Sequence, residues 1–184
     1  MSTLTLRPLT RTMTQYVGFA IPAALLITLA AKTQVPFWPV PMTLHTLAVM
    51  LIAAAFGPTR AVAAMLAYLG AGAAGMPVFS GSPERGIGLA YMVGPTGGYL
   101  LGYLIAAGLT GWLAEGRGYF GKALAMLAGL AVVYACGVAW LGNFVPAEKL
   151  LAAGVTPFVL GDLLKVAIAT ALLAGAARVT GSRA

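Results

Sequence analysis

Residues 157–177 read PFVLGDLLKVAIATALLAGAA, an unbroken apolar run that carries one acid, Asp162, and one base, Lys165. At 1.5 Å per residue the run is about 31 Å long as a helix, the thickness of a bilayer's hydrocarbon core. In hydrocarbon only helices and closed barrels satisfy every backbone group, and the apolar residues here are continuous rather than alternating, so a membrane-spanning helix is expected. Asp162 and Lys165 are three residues apart and share one face of that helix. From Pro157 they lie about 7 and 12 Å along the axis. Ionisable side chains at membrane depth are costly and mark a polar pathway or a site. The plainer reading is a pair that neutralises itself, or a lysine that snorkels, but apolar residues would serve a self-contained pair as well. Ligand contact is therefore favoured.

Five further apolar runs precede this one, at residues 14–31, 41–56, 61–75, 97–113 and 121–141. Of 184 residues, 60% are hydrophobic and 8% charged, against about 25% charged in a soluble domain. The expected fold is an all-α integral membrane protein, a six-transmembrane-helix bundle in which residues 1–184 form a single membrane-embedded domain. The runs at 41–56 and 61–75 fall short of the roughly 20 residues that cross a bilayer, and are expected as short, tilted or partly re-entrant spans. No small-residue cleavage pattern follows the first run, so it reads as retained rather than as a signal peptide.

The net charge is +7, yet the cations stand singly at the ends of apolar runs instead of forming a nucleic-acid patch. Arg7, Arg11, Arg60, Arg117, Lys122, Arg178 and Arg183 fall on one side, and Lys32, Arg85 and Lys149 on the other. That excess places both termini in the cytoplasm. Cys136 is the lone cysteine, so neither a disulfide framework nor a cysteine metal cluster is available within one chain.

With that orientation, three stretches of chain converge on the outer side. Asp162 and Lys165 lie in the outer half of their span. The stretch GPTGGY, residues 94–99, opens the fourth helix with Thr96 as a cap and with Gly97 and Gly98 exposing backbone N–H groups, an arrangement that attracts carboxylates or phosphates. The stretch VPMTLHT, residues 40–46, opens the second helix with Thr43, His45 and Thr46 as hydrogen-bonding groups. No Cys, Asp or Glu lies at ligand spacing from His45, and no metal is expected. Between them the connection MPVFSGSPERGIGLAYMVGPT, residues 76–96, is long for a hairpin and rich in apolar residues, as befits a lid. A pocket lined by Trp38, Phe79, Tyr91 and Tyr99 follows, suited to a small, partly apolar, anionic ligand.

Gly70, Gly72 and Gly75 satisfy the dinucleotide spacing G-x-G-x-x-G but lack the strand before it and the acid after it. Walker, nucleophile-elbow and zinc-protease motifs do not occur, so ATP-driven work would need a partner. Ala20 and Ala24, four apart in the first helix, permit close approach of another helix, either a partner's or one within the bundle.

The ordered set VPMTLHT, GMPVFSG, GPTGGYLLG and PFVLGDLLK resembles the BioY family, the biotin-specific substrate-binding (S) components of energy-coupling factor (ECF) transporters. The resemblance covers nearly all the chain. It implies high-affinity capture of biotin from outside with no cofactor, and association with a membrane coupling (T) subunit and a pair of cytoplasmic ATPases. It also implies a bacterial inner membrane as the setting, with a homo-oligomer left open. By matching positions, Asp162 and Lys165 would contact polar ends of biotin, Tyr99, Gly98, Thr43 and Phe79 would line or close the pocket, and Ala20 and Ala24 would match a docking motif loosely. The family usually carries glutamine where His45 stands. Rival readings are an S component for thiamine or riboflavin, a membrane enzyme using Asp162 and Lys165 as acid and base, and a self-sufficient transporter. Ligand competition, turnover of the ligand, and uptake without an ATPase discriminate them in turn.

Overall fold

The computed structural model describes residues 9–37 and 42–180. Its elements in chain order are α1 (Leu9–Lys32), β1 (Gln34–Val35), β2 (Met42–Thr43), α2 (His45–Phe56), α3 (Pro58–Ala73), α4 (Gly88–Met92), α5 (Gly97–Ala114), α6 (Tyr119–Leu141), α7 (Leu150–Gly154) and α8 (Thr156–Thr180). A 3₁₀ turn, Ala147–Lys149, leads into α7.

Helix ends follow local chemistry. The second apolar run was expected to be helical from residue 41, but Met42 and Thr43 pair antiparallel with Val35 and Gln34, so the helix starts only where the chain leaves that ladder, at His45. Between α2 and α3 stands Gly57, at φ +80°, a conformation that favours glycine. Pro58 then opens α3 three residues earlier than the apolar run implied, because proline's missing N–H costs nothing at a helix start. The long connections contain short helices, α4 and α7, where irregular chain was expected.

Four stretches are long and apolar enough to cross a membrane: Gln15–Lys32, Gly97–Ala114, Tyr119–Leu141 and Ala147–Val179. The 12 residues of α2 and 16 of α3 reach only about 18 and 24 Å.

Small residues set the packing. In hydrocarbon there is no hydrophobic drive between helices, so close backbone approach supplies the attraction. The α5–α6 seam is built this way: a Cβ added to Gly98 would lie 2.2 Å from Trp140 Cβ, and one on Gly129 2.1 Å from Thr110 Oγ1. Helix α1 packs on α3 and α2, while α8 packs on α2 and α6. Ala20 and Ala24 are turned into the bundle, 7% and 9% exposed. Ala24 belongs to the bundle's core, and the exposed face of α1 carries Val17, Ile21, Leu25 and Leu29.

Residues 33–37 and 42–44 and the connections at 74–96 and 142–155 meet at one end of the bundle. Lys32 Nζ donates to the Ser82 carbonyl and to Ser82 Oγ at 3.0 Å, tying the end of α1 to the middle connection. Trp140 Nε1 donates to Gly94 O at 2.9 Å, and Tyr99 OH to Gly154 O at 2.8 Å. Met42 and Phe37 lean on α8 at Gly161, where an added Cβ would come within 2.5 Å of Met42 Sδ.

Candidate functional site

Beneath these connections the apolar bundle holds a polar cluster. Lys165 Nζ donates to Asp162 Oδ1 at 2.8 Å across one turn of α8, the one salt bridge among the described residues. Both side chains are buried, at 5% and 7% exposure. From α6, Tyr134 OH donates to Asp162 Oδ2 at 2.6 Å. Both carboxylate oxygens are thus engaged, although a carboxylate has about four acceptor positions and an ammonium three donors, so each keeps capacity for a further partner.

His45, the first residue of α2, faces the same cluster. Its ring lies 4.3 Å from Tyr103 and 5.2 Å from Tyr68 between centroids, and Lys165 is within electrostatic reach of it. Tyr103 OH shares a 2.7 Å hydrogen bond with Thr46 Oγ1, and the helices that carry this pair, α2 and α5, pack on α8 and α6. His45, Thr46, Tyr103, Tyr134, Asp162 and Lys165 therefore gather four helices, α2, α5, α6 and α8, around one place. Depth is matched as well: Tyr103, Tyr134 and Asp162 are each six or seven residues from the loop end of their helices, about 10 Å along each axis.

A chain of rings joins this cluster to the lid. Tyr68 meets Phe79 edge-on at 5.5 Å, and Phe79 stacks on Tyr91 at 4.8 Å. Phe79 is wholly buried because Gly72 leaves room for it; a Cβ on that glycine would lie 2.0 Å from Phe79 Cζ. The glycine spacing that imitates a dinucleotide motif thus accommodates a ring. Tyr91 OH donates to the Ser80 carbonyl, holding the connection folded over Phe79.

Expected site residues separate into groups. Asp162, Lys165 and His45 lie together, with Phe79 and Tyr91 above them through the ring chain. Tyr99 is half-buried, seated on Gly137 and bonded to the connection before α8. Thr43 is half-buried in β2 opposite Gln34. Gly98 is a packing glycine against Trp140 and the Cys136 carbonyl. Thr96 makes no side-chain cap, because its own backbone is already helical, at φ −91° and ψ −2°. Gly97 N–H is taken by Gly94 O at 3.0 Å. The anion cradle expected at this helix start is therefore partly closed by the chain itself. Trp38, Arg7 and Arg183 lie outside the described residues, as does the side chain of Arg11. A depression of about 270 Å³ at the opposite end, lined by Phe56, Gly57, Glu115 and Lys122 among others, does not touch the buried cluster.

Sequence reading missed Tyr68, Tyr103 and Tyr134. Tyr99 and Tyr103 are four apart, one helix face, and that spacing was the available signal. Tyr134 has no such neighbour and becomes visible only when α6 meets α8.

Fold and cluster together define a helical membrane protein that buries a polar, aromatic-capped cluster under the connections at one end of its bundle. The chain belongs to the BioY family, whose sequence pattern matches residues 2–182. It is 39% identical over 146 residues to the biotin transporter BioY of Thermotoga maritima, covering 78% of this chain and 85% of that one. It is 38% identical over 144 residues to the probable biotin transporter BioY of Pyrococcus horikoshii, with the same coverage of 78% and 85%. With the biotin transporter BioY of Rhodobacter capsulatus the identity is 37% over 162 residues, 79% of this chain and 84% of that one. Its fold is similar to that of the S-component for biotin from an ECF-type ABC transporter, at a TM-score of 0.71 and 24% identity, covering 88% of this chain and 92% of that one.

Proposed function

We propose that this chain captures biotin as the S subunit of an ECF-type vitamin importer, binding the vitamin without altering it. The observation that carries the proposal is the buried Asp162–Lys165 pair, held by Tyr134, in a chain of a family whose relatives are biotin transporters. Biotin offers what such a cluster lacks: a ureido ring with two N–H donors and a carbonyl, an apolar bicyclic body, and a carboxylate. Asp162 accepts a ureido N–H and Lys165 donates to a ligand oxygen, while Tyr99, Thr43, Phe79 and Tyr91 wall the ligand and Gly98 keeps α5 close enough to α6 for Tyr99 to reach inward. Phe79 and Tyr68 are fully buried and ring contacts run from Phe79 through Tyr68 to His45, so on this reading admitting the ligand requires the connection at residues 74–96 to lift and reclose. The chain crosses the cell membrane six times as one domain with both termini in the cytoplasm, the short α2 and α3 spanning together with the longer helices. Energy comes from a T subunit and its ATPase pair, which the absence of an ATP-binding motif in the sequence makes necessary for powered uptake.

Isothermal titration of the detergent-purified chain with biotin, with thiamine and riboflavin as controls, tests this. Saturable submicromolar binding of biotin alone is expected. A folded sample that ignores biotin, or binds either control as well, overturns it.

A further inference from the structure

His45 Nε2 is the one buried side-chain nitrogen or oxygen among the described residues that no protein group partners. Its residue is 6% exposed, its ring is packed by Tyr103 and Tyr68, and the buried ammonium of Lys165 lies within electrostatic reach. Packing alone does not account for this. A phenylalanine would fill the same aromatic slot and spare the molecule an unsatisfied polar atom, which costs on the order of 1–3 kcal/mol when buried. Thr46 and Tyr103, the adjacent hydroxyls, satisfy each other and leave His45 out. The ring packs on Tyr103 at the end of the bundle where Asp162 and Lys165 are buried, so a ligand seated among these side chains would offer the nitrogen its missing partner.

We propose that His45 Nε2 makes a direct hydrogen bond to the captured ligand and contributes to its selection, and that the empty protein is less stable for keeping this atom unpaired. The inference rests on the biotin-capture reading and adds one contact to it. An imidazole nitrogen either donates or accepts a single hydrogen bond, and a glutamine side-chain amide has both capacities. His45→Gln should therefore preserve the contact, whereas His45→Phe preserves only the packing.

The test combines biotin titration with thermal unfolding of the wild type, H45F and H45Q, each with and without biotin. H45F should bind biotin roughly ten- to a hundredfold more weakly, the equivalent of losing one buried hydrogen bond. Its ligand-free melting temperature should equal or exceed that of the wild type. H45Q should bind within about threefold of the wild type. H45F that binds biotin as the wild type does overturns the inference. So does H45Q that loses as much affinity as H45F, which would make the imidazole a shape requirement. If H45F fails to fold, the affinity of H45Q alone decides by the same threefold criterion. A wild type that does not bind biotin defeats the capture reading itself, an outcome separate from any variant.

Discussion

Alanine at position 162 would leave the Lys165 ammonium buried with no counter-ion, and breaking a buried pair by removing one partner costs about 3 to 5 kcal/mol. Asp162→Ala should accordingly unfold at lower temperature and bind biotin more than tenfold more weakly; affinity within threefold would contradict the assigned role. Replacing both members with apolar residues of similar size removes the charges together, and such swaps are often neutral or stabilising. The double variant D162L/K165M should recover most of the melting temperature and none of the binding. If its binding returned as well, the pair would be scaffolding. Tyr134 acts one step back, by fixing the second carboxylate oxygen. Tyr134→Phe should weaken binding roughly three- to tenfold, the loss of one half-buried hydrogen bond to a charged group. On a D162N background it should add nothing, because the two residues act through one interaction. Titration of the four proteins of that cycle checks this.

At the scale of elements, the connection at residues 74–96 is held by three devices: Phe79 in the notch at Gly72, Tyr91 on the Ser80 carbonyl, and Lys32 on Ser82. The notch is the most exacting, since an alanine Cβ there would fall 2.0 Å from the ring and real contacts do not come so close. Gly72→Ala should expel Phe79 and loosen the connection. Trypsin should then cut after Arg85, which is exposed in that connection, several-fold faster than in the wild type, as local opening controls cleavage there. Adding Phe79→Leu should bring the rate part of the way back, and an unchanged rate in Gly72→Ala would show that the notch does not hold the lid. This device was half legible in the sequence. A long apolar connection with Phe79 and Tyr91 reads as a lid, but Gly72 stands in a helix some residues earlier and its role depends on which way that helix faces. The same limit applies at the start of α5, which begins at Gly97 as expected but where the Thr96 side chain makes no cap and Gly94 O takes the Gly97 N–H. Long helices were legible because hydrocarbon forces backbone bonds inside each run. Contacts between runs, such as Tyr134 with Asp162, depend on helix rotation, for which uniformly apolar faces give no period to read.

For the whole molecule the question is which end faces the cytoplasm, and the bundle makes it sharp. Arg60 at the start of α3, Arg117 and Lys122 about the α5–α6 turn and Arg178 near the end of α8 lie at one end, while Lys32, Arg85 and Lys149 lie at the other with the connections that roof the cluster. Cations are held back on the cytoplasmic side during insertion, so the first end should be inside and the roofed end outside. Cys136 is the lone cysteine and can be replaced to leave a thiol-free background. Into that background Arg85→Cys and Gly118→Cys would each be placed singly, one in the roofing connection and one in the α5–α6 turn. A thiol reagent that does not cross the membrane should label the variant at position 85 in intact cells, and the variant at position 118 only after the membrane is opened. The reverse pattern would put the roofed cluster on the cytoplasmic side, where it would meet biotin leaving the membrane rather than biotin arriving. Capture from outside would then be untenable, although every contact within the cluster stayed the same.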